Sequence, residues 1–142
     1  LVLLDLDHDA ECAPPLREQW LPNPASGLCF RIAVRQVEAW IMADIQTIAA
    51  YLRVAQKAVP PDPEALDNPK TTMVSLARHS GRPKIQLDMA PREGSGRTVG
   101  PAYTSRLIEY VETHWRPNVA ATRSESLRRA IACLNRLVRE IS

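Results

Sequence analysis

No apolar run in this chain approaches the roughly 20 residues that a membrane crossing needs, and no basic stretch leads into an apolar core with a cleavage signal. The expectation is a soluble, untargeted protein of the cytoplasm with no membrane partner. Cysteine is scarce. Cys12, Cys29 and Cys133 form an odd count without C-x-x-C spacing, which favours reduced thiols over a disulfide frame or a zinc site. Glycine is scarce as well, five residues against twelve prolines, a balance that segments the chain and argues against one long helical bundle. The phosphate loop G-x-x-x-x-G-K-[ST] is absent, so a P-loop is excluded. The local signatures of a Ser/His/Asp or Cys/His hydrolase are also missing. Repeats, low-complexity tracts and long linkers are lacking too, which leaves a single domain over residues 1–142.

What remains is enough for a core. The chain is 45% hydrophobic, and at this length a domain buries about two thirds of its unfolded surface. Its net charge of +2 is unevenly spread. Residues 1–69 carry ten acids and five bases, residues 70–106 seven bases and two acids, and residues 107–142 six bases and four acids. An acidic region beside a basic one suits a metal site facing a polyanion, although charge also fluctuates along any chain.

Leu1–Leu4 with Leu6 reads as a short buried strand, because the run is continuously apolar and bounded by acids. A short helix over Ala13–Leu21 follows a Pro14–Pro15 start, with Trp20 on its apolar side. Cys29–Val34 reads as a second strand passing directly into a helix on which Val37, Trp40 and Ile41 recur. Asp44 is placed to cap the next helix, Ile45–Leu52. A helix is expected over Lys70–His79, an irregular loop over Ser80–Pro101, and a helix over Ala102–Trp115 with Leu107, Ile108, Val111 and Trp115 as its stripe. In the last helix Thr122 and Glu125 make a capping box, and Leu127, Ile131, Leu134, Val138 and Ile141 repeat on one face. The fold class is α/β, with a mostly parallel sheet flanked by helices. Two strands make a poor sheet, and the chain opens inside one, so further strands are expected upstream.

The first strand delivers acids. Asp5, Asp7 and Asp9 alternate at its carboxyl end, roughly 7 Å apart if the strand persists, and like charges so close call for a cation. Hard oxygen ligands of this density suit Mg²⁺ or Mn²⁺. Glu38, within a turn of the second strand, is placed to reach the same edge. Each has a plainer reading: an acidic turn that stays solvated, and a first-turn Glu that favours the helix dipole. His8 beside them reads as either a ligand or a solvated residue. Lys70, following "DNP" at a helix start, is placed to hold a phosphate with backbone N–H groups. Arg82, Lys84, Arg92 and Arg97, with Arg78 and Arg106 nearby, are the candidates for a nucleic-acid backbone, and a solvated loop is their alternative.

The segments "DLDHD", "RIAVRQVEAWIMAD", "NPK", "VGPAYTSRLIEYV" and "SESLRRAIACL" together resemble the domain-of-unknown-function family four-two-seven-six, small proteins regarded as toprim-like. The most specific piece surrounds Glu38, Ala39, Trp40 and Asp44. The resemblance implies a toprim-like three-layer domain lacking its N-terminal strands here, with Asp5 and Asp7 as Mg²⁺ ligands and Glu38 a further one. It departs in having nothing upstream of Leu1 to hold the glutamate that toprim proteins place on an earlier strand; either this is a fragment or catalysis has been lost. The expected function is a Mg²⁺-dependent nuclease acting on nucleic-acid phosphodiesters through Asp5, Asp7, Glu38 and Lys70, with Asp9 assisting the metal and an ATPase as partner in defence. The alternative is a non-catalytic interaction module that docks a partner protein. A phosphatase acting on a small phosphoester is a third reading, distinguished by weak salt dependence.

Overall fold

The computed structural model describes residues 1–142, all but Ile141 with their side chains. Two parallel strands, β1 (Val2–Asp5) and β2 (Phe30–Ala33), pair with Val2 opposite Phe30 and Asp5 opposite Ala33. The crossover between them carries helix α1 (Ala13–Trp20), as a parallel pair requires. The remaining helices are α2 (Val37–Met42), α3 (Ile45–Leu52), α4 (Pro69–Arg78), α5 (Pro83–Met89), α6 (Tyr103–Thr113), α7 (Pro117–Ala120) and α8 (Glu125–Ile141). No helix among the described residues is long and apolar enough to cross a membrane.

Strand alternation divides the sheet between two helices. Phe30 and Ile32 of β2 pack with Leu6 and with Leu16 of α1, whereas Ala33 packs on the other side with Trp40, Ala120 and Leu127 and Ala130 of α8. The chain is therefore mixed α/β, a two-stranded parallel sheet with helices on both faces. A separate helical core gathers Met42, Ile48 and Leu52 with Met73, Ile85, Met89 and Tyr110.

Several expectations give way. Strand β1 is not a buried strand: Leu1, Val2 and Leu3 are 59%, 41% and 37% exposed, because β1 has a neighbour on one side only. Trp20 is exposed, and so is Ile108 of the expected α6 stripe; that helix turns Tyr103, Leu107 and Tyr110 inward instead. The expected loop over Ser80–Pro101 contains α5, whose Pro83 sits in its first turn, where the missing N–H costs nothing. Cys29 and Cys133 are not reduced thiols but a disulfide, with Cα atoms 6.0 Å apart, joining β2 to α8; Cys12 is free and exposed.

The capping box at Thr122 also fails, because α8 starts later. Its N-cap is Ser124, whose hydroxyl accepts from Leu127 N–H at 3.3 Å. In place of Glu125, Glu64 from the proline-rich segment reaches across to the helix. Its carboxylate accepts from the N–H groups of Glu125 and Ser126, both at 3.1 Å, and from the hydroxyls of Ser124 and Ser126. A carboxylate satisfying orphan donors at a helix start is worth about 0.3–2 kcal/mol. Asp44 precedes α3 as expected, yet its side chain does not cap the helix. It is fully buried and grips the Arg116 guanidinium at 2.7 and 2.9 Å and Arg116 N–H at 3.1 Å. Burial pushes the Asp44 carboxyl up, but these hydrogen bonds hold it below its ordinary value.

Loop 90–101 is pinned back on α5. Gly100 N–H donates to Met89 O and Ala102 N–H to Asp88 O, each at 2.9 Å. A Cβ on Gly100 would stand 2.5 Å from Asp88 O, so only glycine fits.

Candidate functional site

The carboxyl ends of β1 and β2 and the first turn of α2 form one locus. Asp5 closes β1, and its Oδ1 accepts from Val37 N–H, at the start of α2, at 2.8 Å. Burial raises the Asp5 carboxyl above its ordinary value; the Val37 hydrogen bond opposes this, and the charges of Glu38 and Asp7 add to it. The charges of Glu38 and Asp7 thus each reach Asp5, with that of Lys70 in opposition.

Glu38 faces inward from the first turn of α2 and is 3% exposed. Its Oε1 accepts from the Tyr103 hydroxyl at 3.0 Å, and Lys70 Nζ stands 3.9 Å away. Its Oε2 is buried without any hydrogen-bond partner. Buried carboxylates are almost always satisfied, so this atom requires an explanation. Burial and the neighbouring Glu38 charge push the Tyr103 phenol far up, keeping it a neutral donor.

Asp7 lies one step outward, in the left-handed region at φ 45°, which aspartate tolerates better than most residues. Its backbone is clamped to Arg35: the Asp7 N–H donates to Arg35 O, and Arg35 Nη1 donates to Asp7 O, both at 2.8 Å. Its Oδ1 accepts from Gln36 Nε2 at 2.8 Å. The amide of Gln36 turns its other end to Lys70 N–H at 2.9 Å, coupling the acid turn to the start of α4. Asn68 Oδ1 takes Thr71 N–H at 3.0 Å. The first donors of α4 are thus spent within the protein, and Lys70 contributes its ammonium, near Glu38, rather than a phosphate-binding N–H.

The structure therefore brings Asp5, Asp7, Glu38 and Lys70 together. Asp9 and His8 are exposed in the turn beyond and enter none of these hydrogen bonds. Among the described residues, no three His, Cys, Asp or Glu side chains converge as a metal-binding set. Two carboxylates with free oxygens are what Mg²⁺ commonly takes from a protein, water and substrate phosphate supplying the remainder. The unpartnered Glu38 Oε2 beside Asp5 fits that use.

A groove of about 510 Å³ leads away from Glu38 and Lys70, lined by Val37, Ile41, Val99, Tyr103 and Leu107. Thr98 and Val99 of loop 90–101 form part of its wall. Arg97 precedes them, and Arg92, Arg97 and Lys84 are exposed and enter no ion pair among the described residues. Arg82 is committed elsewhere: its Nη1 donates to Tyr51 O at 3.2 Å, and its guanidinium lies 5.4 Å from the Tyr51 ring centroid. Arg106 is likewise held by Asp88 and Glu109.

Sequence reasoning missed Gln36 and Tyr103. Gln36 offered a signal, a polar residue between a strand and a first-turn glutamate; Tyr103 offered none, because its partner lies on a distant element. Comparison of the chain with protein-family models, with curated proteins and with solved structures finds no match.

Proposed function

We propose that this chain is a toprim-like domain that binds Mg²⁺ between Asp5 and Glu38 and cleaves a nucleic-acid phosphodiester. The observation that carries the reading is the buried Glu38 Oε2 without a partner beside the raised carboxyl of Asp5. Bound there, Mg²⁺ supplies Lewis acidity toward the phosphate. Asp5 and Glu38 hold the ion, and Tyr103 fixes the Glu38 carboxylate by its hydroxyl. Gln36 orients Asp7, the outer acid, toward the same edge. Lys70 stands beside Glu38 with 42% of its side chain exposed, so its ammonium is free to turn toward a phosphate oxygen. Arg92, Arg97 and Lys84 extend positive charge beyond the groove, where a polyanion gives salt-dependent affinity.

A non-catalytic docking module is the second reading, and the approach of Lys70 to Glu38 favours it, because an ammonium can neutralise the carboxylate without a metal. The readings separate in one experiment. Calorimetry with Mg²⁺ and Mn²⁺ on the wild type, Asp5→Asn and Glu38→Gln should show binding lost in both variants, and metal-dependent cleavage of DNA or RNA lost with it. Absence of binding by the wild type would overturn the proposal.

A further inference from the structure

We infer that a second site, distinct from the acidic one, binds a phosphorylated small molecule with an apolar body, in the pocket between α1, the open edge of β2 and α8. Strand β2 has β1 on one side only. Along its other edge lies a pocket of about 420 Å³, walled by α1 and by the start of α8. Pro14, Leu21, Phe30 and Ile32 give it an apolar wall, and Arg17, Arg31 and Arg129 line it as well.

Arg31 is the anchor. Its Nε is buried without a hydrogen-bond partner, which is costly for a charged donor. The charges acting on it are those of Arg17, Arg136 and Arg129, all of its own sign. Burial first, and then these charges, lower its affinity for a proton.

Two of the three lining carboxylates are committed elsewhere. Glu64 is spent on the start of α8, and Glu125 on Arg128 and Arg129. Arg136 has Glu140 at 3.7 Å. Glu18, exposed on α1, lines the pocket as well and enters no ion pair among the described residues. Arg17 and Arg31 are left without an ion pair among the described residues, two unpaired cations against the one unpaired carboxylate of Glu18, a surplus that suits a phosphoryl group. A small turn of the Arg31 guanidinium presents Nε–H and Nη–H as a fork, the geometry that holds two phosphoryl oxygens.

The test is calorimetry of the whole chain at low salt with phenyl phosphate and with inorganic phosphate. One saturable site is expected, with phenyl phosphate tighter because its ring covers the apolar wall. Arg31→Met should weaken phenyl phosphate on the order of tenfold to a hundredfold, while Lys57→Gln, at an exposed lysine outside both sites, should leave it unchanged. Absence of saturable binding, equal binding of the two probes, unchanged binding by Arg31→Met, or loss on Lys57→Gln would each overturn the inference. Should Arg31→Met fail to fold, Arg17→Gln on the exposed side of α1 decides: weakened binding supports the site and unchanged binding overturns it.

Discussion

Replacing Glu38 by Gln tests whether the chain carries an unsatisfied carboxylate for the sake of a ligand. The substitution keeps the shape and the acceptor for Tyr103 and exchanges the charged orphan oxygen for a neutral amide nitrogen in a side chain 3% exposed. Leaving a buried neutral group unpaired costs about 1–3 kcal/mol and a charged one more, so the exchange is favourable by the difference. The attraction lost toward Lys70, half exposed at 3.9 Å, is worth about 0–1 kcal/mol. Without metal, Glu38→Gln should therefore be more stable than the wild type by about 1 kcal/mol, or about 2–4 °C in melting temperature for a domain of this size. Divalent metal reverses the order. Mg²⁺ at about a hundredfold excess over its Kd stabilises a protein that binds it by about 2.7 kcal/mol, a gain the variant should not share. Urea denaturation in chelator and in Mg²⁺, at neutral pH, measures both arms. If Glu38→Gln is the less stable protein in chelator, Tyr103 and Lys70 already satisfy the carboxylate and the reasoning is refuted.

Three further perturbations reach other parts of the molecule. The Asp5 carboxyl is raised by burial and by Glu38 and Asp7, so the folded chain binds its proton more tightly than the unfolded chain, and stability falls as pH rises from about 4 through the folded value; Asp5→Asn should flatten that slope in urea midpoints against pH, and an unchanged slope would count against it. Asp44→Ala removes a fully buried carboxylate from the guanidinium and N–H of Arg116 and should cost about 2 kcal/mol, read in the same denaturation assay; because the Asp44 carboxyl is held low, the wild type keeps this contribution above about pH 4 and loses it only as pH falls through the lower folded value. Gly100→Ala drives a Cβ into Asp88 O and should cost about 1–3 kcal/mol, with faster proteolysis in loop 90–101 as the local signature.

Local signals were legible where one residue acts on its immediate neighbours. The strand ending in Asp5, the break at Asp44 and the helix after Asn68 all follow from periodicity and cap chemistry within a few residues. Helix α5 was hidden because its Pro83 reads as a breaker when it is in fact a starter, and the surrounding Gly, Pro and Arg reinforced that reading. Ser124 and Thr122 were both chemically fit to cap α8, and the choice fell to Glu64, a residue some sixty positions away that no local pattern connects to it. Cys29 with Cys133, separated by 104 residues, and Asp44 with Arg116 are of the same kind. Sequence shows that a side chain needs a partner; only the packed chain shows which.

The two proposed sites both rest on a failure of pairing. Among the described residues, Arg31 Nε and Glu38 Oε2 are the buried side-chain polar atoms left without partners. They are opposite in charge and close in sequence, so pairing them would satisfy both. The chain keeps them apart. Arg31 lies at the edge pocket it shares with Phe30 and Ile32, in the field of Arg17 and the α8 arginines, whereas the turn into α2 swings Glu38 toward Asp5 and the groove beside Lys70. A sequence shaped only for stability loses several kcal/mol of possible gain by this arrangement. On the readings proposed above, a cation at one end of β2 and a dianion along its edge would each use one of these atoms, and a single requirement would cover the two orphans together.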